Sequence, residues 1–132
     1  MAAVVVAEDD DDIRMITVRL LRRAGHTVEE APDGQAALEL VRQVQPDVVV
    51  SDIDMPRMSG VQLCQAIRAD PTTADLPVIF VSGSLLPGDA RPAAAQATAI
   101  LRKPFKPAEL LACLDKALTS GHEPGQEPSQ CP

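Results

Sequence analysis

The sequence predicts a doubly wound α/β domain on five parallel strands, and three observations carry that reading. Short apolar runs rich in β-branched residues recur at Val4 to Ala7, Thr27 to Ala31, Asp47 to Ser51, Pro77 to Val81 and Ala99 to Arg102. Between them, apolar residues return every three or four positions, which is the helical period. The first, third and fourth runs are apolar, as central strands covered on both faces are. Strands that alternate with helices in this way form βαβ units and a parallel sheet.

Each intervening element has its own signal. Ile13, Ile16, Leu20 and Ala24 form a stripe that ends at Gly25, a natural C-cap. Ala37, Leu40, Val41 and Val44 form the second stripe, and Val61, Cys64 and Ile67 the third. Leu110, Leu111, Leu114 and Leu118 form the last, with Pro107 at a first-turn position. Gly83, Pro87, Gly88 and Pro92 interrupt segment 83–98, so a short fourth helix is expected only toward its end, from about Ala93. From Thr119 onward Gly, Pro, Glu and Gln dominate. The expectation is a domain over residues 3–118 and a disordered tail over 119–132.

Composition narrows the function classes. A chain of 132 residues that is 45% apolar has room for one compact core. The net charge is −7, there is no Trp or Tyr, and Phe80 and Phe105 are the only aromatic residues, so the basic and stacking surfaces for direct nucleic-acid binding are missing. No apolar run approaches the roughly 20 residues that span a bilayer, and the N-terminus lacks a signal peptide's basic flank. A cytoplasmic protein with no membrane partner is expected. Cys64, Cys113 and Cys131 are odd in number and widely spaced, which predicts two buried thiols and one in the tail, with neither a disulfide framework nor a zinc site.

Ligands of such sheets bind where loops leave the carboxyl ends of the strands. Glu8 and Asp9 follow the first run, at the head of the acidic stretch from Glu8 to Asp12, whose Asp11 or Asp12 suits a helix N-terminus. Asp52 follows four residues of apolar strand in Val48-Val49-Val50-Ser51-Asp52. A carboxylate there is costly to desolvate unless a metal or hydrogen bonds compensate it, although a turn or cap aspartate would read the same in isolation. In the commonest five-stranded order the first and third strands are neighbours, which brings Glu8, Asp9 and Asp52 into one pocket. Mg²⁺ suits such a pocket, since it accepts a few carboxylate oxygens, keeps waters and bridges to phosphate. Lys103 ends the last run and Ser82 the fourth; each is commonly a surface or turn residue, but this topology points both at the acidic pocket.

These motifs resemble the receiver domain of bacterial two-component response regulators, over about residues 3 to 118. The match rests on the acidic pair Glu8-Asp9, on Asp52 followed by Met55-Pro56-Arg57-Met58-Ser59-Gly60, on Ser82, and on Lys103-Pro104-Phe105 in that order. The resemblance implies a flavodoxin-like (βα)5 fold with strand order 2-1-3-4-5. It also implies that Asp52 accepts a phosphoryl group from a phosphohistidine on a sensor histidine kinase or phosphotransfer protein. Asp9 and Asp52 would bind Mg²⁺ directly, Glu8 through water, and Asp54 through its backbone carbonyl. Ser82 and Lys103 would hold the phosphoryl oxygens, and the Lys103-Pro104 peptide would be cis. Asp54 and Ser84 match family positions that tune the lifetime of the phosphoryl group. The implied function is a signalling switch that acts on a downstream effector protein, with slow autodephosphorylation as its only turnover.

The chain departs from the family where an aromatic residue is customary, for it carries Ile100, and Gln96-Ala97 stands in place of Gly-Ala. Ile100 cannot perform an aromatic rotamer switch, so output is expected to run through the loop from Ser84 to Pro92. Two other classes compete. Asp52-Ile53-Asp54 has the Asp-x-Asp form of haloacid-dehalogenase phosphatases, but it follows the third strand rather than the first. A receiver-like interaction module without phosphorylation is the other. The aspartate run lacks the glycine and terminal glutamate of an EF-hand loop. With no effector domain in view, the switch is expected to act through a partner or to be part of a longer protein.

Overall fold

The structure is a computed structural model that describes residues 2–86 and 88–131. Its elements run β1 (Ala3–Ala7), α1 (Asp11–Arg23), β2 (Thr27–Ala31), α2 (Gly34–Val44), β3 (Val48–Asp52), α3 (Gly60–Ala69), β4 (Val78–Ser82), α4 (Arg91–Ala94), β5 (Ala99–Arg102), α5 (Pro107–Ser120) and β6 (Ser129–Gln130). The strands form one sheet in the order β2-β1-β3-β4-β5-β6, with every pairing parallel. The first five follow the expected 2-1-3-4-5 order, and each begins and ends within one residue of its apolar run.

Alternation along the strands divides the core between the two faces of the sheet. Val4, Val6, Val48, Val50, Ile79, Val81 and Leu101 face α1 and α5, where Val18, Leu21, Leu110, Leu114 and Ala117 meet them. Val5, Ala7, Val49, Val78, Phe80 and Ile100 face α2 and α3, where Ala37, Val41, Leu63, Cys64 and Ile67 close the other side. Burying a side chain of this size contributes about 1.5–3 kcal/mol. Both layers are therefore needed, and the chain can hold the carboxyl ends of β1, β3, β4 and β5 level with one another. Asp10 caps α1 by accepting from the N–H groups of Asp12 and Ile13, which leaves Asp11 and Asp12 in the first turn.

Three sequence expectations need correction. On α1 the buried side is Thr17, Val18 and Leu21, while Ile16 is 61% exposed and Ala24 is also exposed. Two apolar stripes lie side by side on this helix, and packing against β1 and β2, which periodicity does not contain, selects between them. The tail is not without structure: α5 continues to Ser120, and Ser129–Gln130 pair with Ala99 and Ile100. Finally, Cys113 and Cys131 form a disulfide across 18 residues, leaving Cys64 as the free, buried thiol. Only the fold brings α5 beside the outer edge of β5, so spacing could not reveal that pair. Pro87, in the expected output loop, lies outside the described residues, as do Met1 and Pro132 at the chain ends.

Candidate functional site

Register assembles the site. Ala7 is level with Ser51, Asp52 with Val81, and Ser82 with Arg102. The residues that end or follow these strands, Glu8, Asp52, Ser82 and Lys103, therefore meet at one edge. Glu8 and Ser82 are buried, Asp52 and Lys103 are half-buried, and Asp9 is exposed. Glu8, Asp9 and Asp52 each offer a carboxylate oxygen within 4.8 Å of the others. Lys103 Nζ donates to Glu8 Oε1 at 2.6 Å and stands 3.5 Å from Asp52 Oδ2. The Lys103-Pro104 peptide is cis.

The neighbouring hydroxyls form a directed chain. Ser84 Oγ donates to Asp54 Oδ2 at 2.9 Å and lies 3.2 Å from Ser82 Oγ. The Ser84 N–H also donates to Ser82 Oγ at 3.1 Å. Each hydroxyl has one proton, so with that of Ser84 given to Asp54, the Ser82 proton points to Ser84 Oγ. Arg91 stands 3.7 Å from Asp54 Oδ1 and also pairs with Asp89. The Asp54 side chain thus faces the β4–α4 loop.

Close backbone packing fixes the loop after Asp52. Gly60 N–H donates to Ile53 O at 2.8 Å, and a Cβ on Gly60 would collide with the Asp52 carbonyl. The N-terminus of α2 braces the same loop from the other side. Gly34 N–H donates to Met58 O at 3.0 Å, and a Cβ on Gly34 would run into that carbonyl. Arg57 holds a left-handed backbone (φ 64°) while its Nε donates to Asp33 Oδ2 at 2.8 Å. Sequence reading noted Gly60 only as part of a motif and passed over Asp33, Gly34 and Arg14, whose guanidinium donates to Glu8 O at 2.8 Å. The Asp33-Gly34 pair just after β2 was an available signal, since Asp is a preferred N-cap.

Electrostatics reflect the crowding. Although Asp9 is exposed as a residue, desolvation of its carboxyl, with the hydrogen bond and negative charge of Glu8 adding to it, raises that group above its ordinary value. For Lys103, burial alone would favour the neutral amine, but the bond to Glu8 and the charge of Asp52 outweigh it and raise the ammonium's pKa. The resting site is thus a cluster of three carboxylates with one cation among them. The donor set fits Mg²⁺, which takes a few carboxylate oxygens at one side and keeps water on the other.

Comparison with known proteins agrees. The sequence model of the response regulator receiver domain matches residues 4–115. Sensor kinase CckA of Brucella abortus (strain 2308) is 39% identical over 120 residues, which is 89% of this chain and 12% of the kinase. Among solved structures, the chemotaxis response regulator CheY4 of Vibrio cholerae superposes with a TM-score of 0.84 at 34% identity, covering 89% of this chain and 99% of that one. The receiver domain of sensor histidine kinase PA1611 from Pseudomonas aeruginosa PAO1, solved with a magnesium ion coordinated in its active-site cleft, superposes at 0.83 with 26% identity, covering 89% and 98%. The chain belongs to the response regulator receiver family and is a phosphoacceptor switch of the two-component type. It spans 12% to 47% of the length of the first four curated relatives it matches. No helix among the described residues is long and apolar enough to cross a membrane.

Proposed function

We propose that Asp52 is the phosphoacceptor, and that the donor is a phosphohistidine on a sensor histidine kinase or phosphotransfer protein. A carboxylate oxygen of Asp52 attacks phosphorus, the phosphorus–nitrogen bond breaks, and the imidazole leaves with the electron pair and takes a proton. The product is an acyl phosphate. Asp9 and Asp52 would hold Mg²⁺ directly, Glu8 through water, and Asp54 through its backbone carbonyl. Bound Mg²⁺ supplies charge to the phosphoryl oxygens, and the magnesium held by the PA1611 receiver supports the same assignment here. Lys103 carries the second positive charge. Ser82 would leave Ser84 and donate its proton to a phosphoryl oxygen.

The carrying observation is the convergence of Glu8, Asp9 and Asp52 on one another with Lys103 inserted between Glu8 and Asp52. A reading as an Asp-x-Asp phosphatase finds no support in Asp54, whose carboxylate accepts from Ser84 on the β4–α4 loop and neighbours Arg91 at the start of α4. Output through the Ser84 to Pro92 loop fits the same chain, since a Ser82 hydroxyl drawn to phosphate loosens Ser84 and Asp54 together. We place the protein in the cytoplasm, signalling through a downstream effector protein.

Intact-mass measurement after incubation with acetyl phosphate and Mg²⁺ tests the assignment. One added phosphoryl group on the wild type, lost with EDTA and absent from Asp52→Asn, is the expected result. Labelling that persists in Asp52→Asn, or a wild type that takes no label, would overturn it.

A further inference from the structure

We propose that the segment from Gly121 to Cys131 is a redox-released strap: the Cys113–Cys131 bond holds β6 on the outer edge of β5, and reduction of that bond uncovers the edge. The strap touches the body at few places. At its far end Ser129 N–H donates to Thr98 O at 3.0 Å and Cys131 N–H donates to Ile100 O at 2.8 Å. At its near end the buried His122 meets Thr98 Oγ1 through Nδ1 at 2.9 Å. Between these points residues 123–127 are exposed. A cavity of about 360 Å³ separates this part from α5, with Lys116, Ser120, Glu123 and Gln126 among its lining. The middle of the strap therefore brings no apolar packing to the body.

A strand of two residues is far below the length at which sheet pairing sustains itself. The disulfide shortens the tether and so raises the effective concentration of β6 at the β5 edge, because Cys113 is fixed in the core and Cys131 is the next residue after β6. Accessibility gives the reaction its direction. Cys113 is 1% exposed, whereas Cys131 is half-buried at the rim. A dithiol reductant therefore attacks the Cys131 sulfur, forms a mixed disulfide and releases the Cys113 thiolate. Its second thiol then closes the reductant's own disulfide, so two electrons and two protons pass to the protein and leave Cys113 and Cys131 as thiols. In a reducing compartment such a bond is characteristically transient and redox-sensing rather than a permanent staple. Release leaves the carbonyls of Thr98 and Ile100 without their donors, and a bare sheet edge is open to pairing with another extended segment.

Amide hydrogen exchange on the full chain, with and without dithiothreitol, tests this. In the oxidised chain the Ser129 and Cys131 amides should be protected. Reduction should speed their exchange at least tenfold while the amides of 48–52 stay unchanged, and Cys131→Ser should match the reduced wild type without any reductant. Equal tail protection before and after reduction would overturn the proposal. So would a loss of protection in 48–52, since the bond would then serve the whole fold. Iodoacetamide mapping across a glutathione series provides the second arm, with alkylation of Cys131 expected to change from absent to complete across the series. A bond that persists at the reduced end, or never forms at the oxidised end, would exclude a switch.

Discussion

Lys103 and Glu8 are joined by a 2.6 Å ion pair inside the site, shorter than the 3.5 Å approach of the same ammonium to Asp52. In the resting protein the lysine thus belongs more to the acidic pair after β1 than to the residue that would carry the phosphoryl group. It occupies charge that a divalent ion would use. Lys103→Met should tighten Mg²⁺ binding at least about fivefold, since about 1 kcal/mol is the size of a unit-charge interaction at about 4 Å when water screens it fully, and a drier site gives more. Titration calorimetry reads this directly, and unchanged or weaker affinity would show that the pair does not compete with the metal.

Gly60 is the second test point. A methyl group there meets the Asp52 carbonyl, which is rigid backbone rather than the end of a flexible side chain. Gly60→Ala should cost about 1–3 kcal/mol of unfolding free energy, the usual range for overpacking. It should also slow phosphorylation by acetyl phosphate, because the displaced loop starts at Asp52 itself. Wild-type stability in urea would contradict the packing described here.

Asp33 links α2 to the loop that carries Arg57. Its carboxyl lies below the ordinary value of 3.8, first because it accepts from the Ala36 N–H and next because of the Arg57 guanidinium. A carboxyl depressed in the folded state adds stability that is present above the unfolded value and is lost as pH falls below it. Asp33→Ala should therefore cost about 1 kcal/mol near neutral pH, as loss of a cap does, and the difference from wild type should shrink in denaturation curves taken below pH 3.8. A gap that is constant with pH would mean that the ionised cap is not its source.

His122 supplies a second pH test, in a window closer to neutrality. Thr98 Oγ1 accepts from Val78 N–H at 3.0 Å, so its own proton is free for His122 Nδ1, and the other ring nitrogen, Nε2, has no partner among the described residues. Burial, followed by the charge of Arg68, lowers the His122 pKa below its ordinary 6.5, with Asp75 opposing. The unfolded chain then takes up the proton first. Stability should be full above pH 6.5 and should decline as pH falls through the window below it. Urea midpoints at pH 7.5 and 5.5 should differ for the wild type and differ less for His122→Gln.

The parts of the molecule that sequence disclosed are those fixed by short-range pattern. Apolar runs located all five main strands within one residue, and the strand ends delivered Glu8, Asp52, Ser82 and Lys103 to one edge. Glycines and prolines in segment 83–98 foretold a short, late α4, but it starts at Arg91 and takes Pro92 into its first turn instead of beginning after it near Ala93. What sequence left hidden depends on contacts between distant residues. The face of α1 was ambiguous because Met15 and Ile16 sit beside Thr17 and Val18, and only the sheet decides which pair is covered. Asp33 with Arg57 and Cys113 with Cys131 are partners only once α2, α5 and β5 have docked.

The level strand ends carry one last implication. Glu8, Asp52, Ser82 and Lys103 each sit on or directly after a rigid strand. The cradle is therefore shaped before any visitor arrives, in the manner of a preorganised electrostatic site. What stays adjustable is the assignment of counter-ions, because one ammonium among several carboxylates can trade neighbours by a turn of its side chain. Under the proposed function, signalling at this edge would start as an exchange of ions over a fixed frame, with rearrangement left to the hydroxyl chain and the loop beyond it.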